Sequence, residues 1–142
     1  MDARADSEGN INLIEAAAKK GAKRFLLVTS IGTGDSKDAV AKQTYEVLEK
    51  VLIEKEKAER RLKELGSEME YVIIRPGGLK SEPATGEGFL TDDNTVCGSI
   101  HRDDVASLVV DALFSDKATN KVLAALDKNQ VNGKPVLKPF EV

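Results

Sequence analysis

The stretch Tyr71–Leu79, YVIIRPGGL, decides how the chain folds. Tyr71 to Ile74 has the aromatic and β-branched character of a strand. The run then meets Arg75, Pro76, Gly77 and Gly78. A proline followed by glycines does not continue a central strand. Small residues at such an end let another backbone, or a ligand, approach closely.

Upstream, YEVLEKVLIEKEKAERRLKEL (Tyr45–Leu65) reads as a long charged helix. Val47, Leu48, Val51, Leu52, Ala58, Leu62 and Leu65 are expected on its inner side, with Gly66 closing it. Opposite charges at i,i+4 make its outer side a solvated face. The segment Asp35–Thr44 reads as loop. Before it, RFLLVTSIGTG holds an apolar run, Phe25–Val28, of the kind found in strands buried on both faces. That run ends in Thr29, Ser30, Gly32 and Gly34. EGNINLIEAAAKKGAK reads as a helix with Ile11, Leu13, Ile14, Ala17 and Ala18 forming its stripe. Gly21, just after Lys19 and Lys20, marks its end.

Downstream, Lys80–Gly88 reads as a loop, followed by short extended pieces at Gly88–Thr91 and Val96–Ile100. HRDDVASLVVDALFSD reads as a helix with acids in its first turn, and KVLAALD as a third strand. The two prolines of NGKPVLKPFEV confine the tail to irregular or edge structure. Strands alternating with helices predict a parallel sheet, with ligands beyond the carboxyl ends of its strands. TSIGTG and RPGGL both sit at such ends.

The chain has 142 residues, 21 Lys and Arg against 24 Asp and Glu, and a net charge of −3. This length predicts one domain over residues 1–142. The charge balance supplies no case for nucleic acid or an anionic membrane as partner. No apolar run approaches the roughly 20 residues of a membrane span. MDARADSEGN is acidic and polar, with neither a secretory apolar core nor a transit-peptide composition. Cys97 is the sole cysteine and His101 the sole histidine, so no internal disulfide forms and no zinc site is expected. Cys97 is read as a small buried residue in an extended piece and His101 as capping or flanking a helix start. Arg75 is read as an ion-pair residue bracing its strand end, and Tyr45 as packing.

The succession TSIG, KEKAERRL, YVIIRPGGL and IHRDDVASLVVDAL resembles the atypical short-chain dehydrogenases. Within them it is similar to the NAD(P)-binding branch of NmrA-like regulators, biliverdin/flavin reductase B and plastid proteins related to the ferredoxin-reductase-binding import component. The resemblance runs from near Glu8 to Asn129. It implies that Ser30 lies beside the nicotinamide of NADP or NAD. It implies that Lys55, four residues before Glu59, bonds the nicotinamide ribose, as an ammonium with three donors can. It implies that Pro76, Gly77 and Gly78 form the loop covering the nicotinamide, and that Arg102 and Asp104 are structural.

Two departures follow from the same resemblance. The tyrosine that family members place four residues before the lysine is Val51 here, which moves no proton. No catalytic residue is therefore assigned. The glycine-rich GxxGxxG fingerprint, which holds the pyrophosphate at a helix N-terminus, does not occur in the chain. The expected fold is an incomplete, three-layer, Rossmann-like α/β unit with about three main parallel strands. It would be the C-terminal portion of an NAD(P)-binding domain whose first βαβ half is missing. Weak or no cofactor binding by this chain alone is expected, with a sheet edge left open beside Phe25–Val28. Two function classes follow. One is a piece of an NAD(P)H-dependent oxidoreductase or sensor. The other is a non-catalytic subunit docked by that edge on a larger, possibly photosynthetic assembly, in the chloroplast or the cytoplasm.

Overall fold

The computed structural model describes residues 3–142. Helix α1 (Glu8–Lys19) turns Ile14 fully inward, with Ile11, Ala17 and Ala18 beside it. Leu13 departs from the expected stripe and is 59% exposed. Gly21 ends the helix at φ +83°, where it donates its N–H to Ala18 O while Ala22 donates to Ala17 O. Such a turn needs a left-handed residue, which is why glycine stands there.

Strand β1 (Arg24–Val28) pairs in parallel with β2 (Glu70–Pro76), Leu27 opposite Ile73. The strand predicted from Tyr71 to Ile74 extends through Arg75 and Pro76. Pro76 stands opposite Ala125 at the strand's last register position. Between β1 and β2, a 3-10 turn (Gly34–Ala39) and the first residues of α2 (Lys42–Glu64) replace much of the expected loop.

β2 leads into β3 (Gly78–Lys80), so the glycine loop is partly strand. β4 (Gly88–Thr91) and β5 (Ser99–His101) follow, then α3 (Arg102–Leu113) and the third long strand, β6 (Lys121–Asp127). The main sheet runs β1-β2-β6-β4, with β4 antiparallel to β6. β3 and β5 form a separate parallel pair.

Side chains alternate across the sheet as the pleat requires. Val72, Ile74, Leu123 and Ala125 pack with Val105 and Ala112 of α3. Leu27 and Ile73 pack with Ile14, Ala58 and Leu62 of α1 and α2. The result is three layers, helices on both faces of the sheet. Phe25–Val28 was expected to be buried on both faces, but only Leu27 is buried, and Val28 is 42% exposed. Among the described residues β1 pairs with β2 alone, so it is an edge strand of the sheet. The N-terminal part of α2 departs in the same way: Val47 is 83% exposed and Leu48 is also exposed, while Leu52, Ala58 and Leu62 are buried. No helix among the described residues is long and apolar enough to cross a membrane.

Candidate functional site

The carboxyl ends of β1 and β2 are held side by side by backbone bonds that outlast the strands. Thr29 donates its N–H to Ile74 O, and Ile31 donates to Pro76 O, each at 2.9 Å. Gly77 donates to Ala125 O at 3.0 Å and Gly78 to Gly98 O at 2.9 Å. The TSI and PGG segments therefore form two banks of one cleft of about 540 Å³. Ser30, Lys55, Pro76, Gly77 and Gly78 all line it.

Each of these residues has a distinct setting. Ser30 is half-buried, and its hydroxyl donates to Ile31 O at 2.9 Å, which leaves its lone pairs toward the cleft as acceptors. Lys55 reaches the cleft from α2, and its Nζ is 2.8 Å from Asp6 Oδ1. Pro76 is buried at the end of β2. Gly77 is small for a packing reason: a Cβ there would lie 2.4 Å from Gly98 O. Gly98 is held the same way, since its Cβ would lie 2.1 Å from Gln130 O. Gly78 alone among these glycines has ordinary room, with Ser99 Oγ nearest at 3.5 Å. It is exposed on the cleft wall.

Sharing Thr29 with the cleft is a buried charge network. Glu59 on α2 takes the Arg75 guanidinium in a fork, Nη2 to Oε1 at 2.7 Å and Nε to Oε2 at 3.0 Å. Thr29 adds its hydroxyl to Glu59 Oε2 at 2.7 Å, and Asp35 meets the outer Arg75 nitrogen. Burial opposes the charge on Arg75, but the bonds to Glu59 and Asp35 outweigh it and raise its pKa. Asp35 is partly desolvated, which works against its charge; Arg75 nonetheless holds its carboxyl below the ordinary range. Gly34, at φ +57°, lets the turn pass over Arg75: a Cβ would sit 3.0 Å from Nη2. The network ties β1, β2, α2 and the 3-10 turn together, and its member Thr29 lines the cleft. Arg75 thus braces its strand end, as expected from the sequence.

A second cluster joins His101, Asp104 and Asp127, one ligand atom of each within 4.8 Å of the others. The chain's own donors already use its oxygens. Asp104 accepts the N–H groups of Thr85 and Gly86, at 3.0 and 3.1 Å, and Asp127 accepts the Thr85 hydroxyl at 2.6 Å. The cluster is a clasp for the loop between β3 and β4. His101 sits at the N-cap position of α3 without a side-chain capping bond, and Tyr45 is half-buried under Lys37. Cys97 is half-buried on the cleft rather than packed within a strand. Sequence reasoning did not reach Asp6, Asp35 or Asn132. They lie in polar stretches without periodicity, and only the folded chain brings them to Lys55, Arg75 and the cleft.

A chloroplastic, uncharacterized protein of Arabidopsis thaliana is 37% identical over 123 residues, covering 83% of this chain and 43% of that protein. The uncharacterized sugar epimerase YhfK of Bacillus subtilis is 35% identical over 116 residues, covering 82% of this chain and 50% of its own length. The chain therefore spans about half the length of these curated relatives. Among solved structures, ChuY, an anaerobillin reductase from Escherichia coli O157:H7, superimposes with a TM-score of 0.81 at 29% identity. That superposition covers 93% of this chain and 62% of ChuY. A model of NAD(P)H-binding proteins matches residues 1–116, which is most of the chain. With its parallel-dominated α/β sheet and its cleft at the strand ends, this chain belongs to the NAD(P)H-binding family.

Proposed function

We propose that the chain forms the nicotinamide-facing portion of an NAD(P)H-dependent oxidoreductase. The observation that carries this is the convergence of Ser30, Lys55 and Pro76–Gly78 on one cleft at the carboxyl ends of β1 and β2. Lys55 would offer its ammonium donors to the nicotinamide ribose, with Asp6 orienting it. Ser30 and the backbone at Gly77–Gly78 would meet the nicotinamide carboxamide. When bound, the cofactor supplies a hydride. Val51, half-buried one helical turn before Lys55, supplies no proton, so the proton would come from solvent or from the substrate itself.

The glycine-rich pyrophosphate cradle does not occur in the sequence, so the anchoring of the phosphates would fall to another segment. The edge of β1, where Val28 is exposed and no second strand pairs among the described residues, is where that segment would pair. The chain would thus be a piece or truncated form of a longer protein, binding cofactor weakly by itself. The chloroplastic relative favours a plastid location.

A second reading rests on the same open edge: a non-catalytic subunit that docks through β1 onto a larger assembly. Two titrations of the isolated chain test these readings: NADPH, with its fluorescence as the signal, and nicotinamide mononucleotide, which separates the two. The half-site reading expects no saturation at micromolar NADPH, but expects nicotinamide mononucleotide at millimolar concentration to shift the amide resonances of Ser30 and Gly78. Lys55→Ala should remove those shifts while changing stability by less than about 1 kcal/mol, because the pair with Asp6 is partly solvated. Mononucleotide shifts that map away from the cleft, or their complete absence, would favour the subunit. Tight NADPH binding by the isolated chain would overturn the half-site proposal.

A further inference from the structure

The cleft carries one charge that contact with a nicotinamide does not use. Its lining includes two cations, Lys55 and Arg102, and neither Asp nor Glu. This occurs in a chain whose acids outnumber its bases, 24 to 21. The two cations are not equivalent. The charge of Lys55 is met by Asp6 at 2.8 Å. Arg102, the first residue of α3, is exposed, and its Nη1 lies 2.6 Å from the hydroxyl of Ser81, a neutral partner. It forms no salt bridge among the described residues. A guanidinium so held keeps most of its N–H fork for a planar anion, and carboxylate is the planar anion that fork matches best. The same cleft also presents Leu48 and Leu79, 40% and 46% exposed. Apolar side chains left open on a cavity wall fit an apolar ligand body.

We propose that this cleft takes an acceptor substrate bearing a carboxylate on a broad apolar body. Arg102 reads the carboxylate, and Leu48 and Leu79 take the body. This rests on the nicotinamide-side assignment of the cleft, and it makes Arg102, expected from the sequence to be structural, a specificity residue. The anion could otherwise be a phosphate of the cofactor, so the test must tell the two apart.

Three probes are titrated into the isotope-labelled full chain and followed by amide resonances: 2-naphthoate, its neutral amide 2-naphthamide, and nicotinamide mononucleotide. Naphthoate is expected to shift Gly78, Leu79 and Arg102. Arg102→Ala is expected to weaken naphthoate about tenfold and naphthamide less than about twofold, the size of one partly solvated charge-assisted bond. Mononucleotide binding should be unchanged, and Arg102→Lys should recover part of the naphthoate affinity. The proposal is overturned if naphthoate shifts nothing in the cleft, or if Arg102→Ala weakens both naphthyl probes equally. It is also overturned if that variant weakens the mononucleotide as much as naphthoate, which would give Arg102 to the cofactor phosphate. If naphthoate behaves as expected and the mononucleotide shifts nothing, the carboxylate site is supported and the nicotinamide assignment fails.

Discussion

The carboxylate of Glu59 grips one edge of the Arg75 guanidinium, Nη2 and Nε, at 2.7 and 3.0 Å, with each residue no more than 3% exposed. One partner comes from the middle of a helix and the other from the end of a strand. A pair this deep holds its place because each charge satisfies the other; removing one leaves the other uncompensated. The cleft wall at Thr29, which bonds Glu59, therefore depends on two residues that do not themselves line the cleft.

Arg75→Ala should cost about 3–5 kcal/mol, the penalty for stranding a buried carboxylate. Thr29→Val, which removes one hydroxyl from Glu59, should cost about 1–2 kcal/mol. Urea unfolding of both variants checks the ranking. Equal and small losses would mean that the network contributes little.

The glycines on the cleft should separate cleanly. Gly77→Ala drives a Cβ against Gly98 O and the Leu126 side chain, at 2.4 and 2.7 Å, and should destabilise by about 1–3 kcal/mol or more. Gly78→Ala meets only ordinary contacts and should stay within about 0.5 kcal/mol of the parent. Thermal unfolding measures both. A stable Gly77→Ala protein would show that the wall at Gly98 gives way.

The Asp104 carboxyl is held below its ordinary value of 3.8, foremost by the Thr85 N–H, with the Gly86 N–H adding and burial opposing. A carboxyl depressed in the folded state stabilises at pH values above its unfolded pKa, and this is lost as the pH falls through the folded value. The contribution is complete at neutral pH and disappears below about pH 4. Asp104→Asn should be less stable at pH 7 by about 1–2 kcal/mol and should lose less between pH 5 and pH 3. Urea midpoints across that range give the answer; parallel acid limbs in the two proteins would rule the clasp out as their source.

Burial pushes the Cys97 thiol above its ordinary value of 9.0. At pH 7 it is held as the unreactive thiol, so iodoacetamide should modify the folded chain at least about tenfold more slowly than the urea-unfolded chain. Because Cys97 lines the cleft, nicotinamide mononucleotide at saturating concentration should slow the reaction further. An unchanged rate would place the mononucleotide elsewhere.

Much of the architecture was legible in local pattern. The three long parallel strands, the helix stripes at Ile14, Ala58 and Leu62, and the turn at Gly21 follow from hydrophobic period and backbone preference, which act over a few residues. An extended piece was legible near β5, but β3 and its pairing with β5 were not, because a three-residue strand carries too short a period to be read. Nor was the exposure of Val28 and Val47, since an apolar residue does not announce whether a neighbour covers it.

By itself the sequence determined which segments become the long strands and helices, and that two strands end in small residues suited to a ligand. Only the tertiary structure decided that those two ends share one cleft. It did so through the bond from Ile31 N–H to Pro76 O and the Glu59–Arg75 fork, which join residues 45 and 16 positions apart. The same folding brought Asp6 to Lys55 and set the Arg102 guanidinium against the Ser81 hydroxyl. Pairings of this kind depend on how the layers stack, and no window of neighbouring residues contains that information.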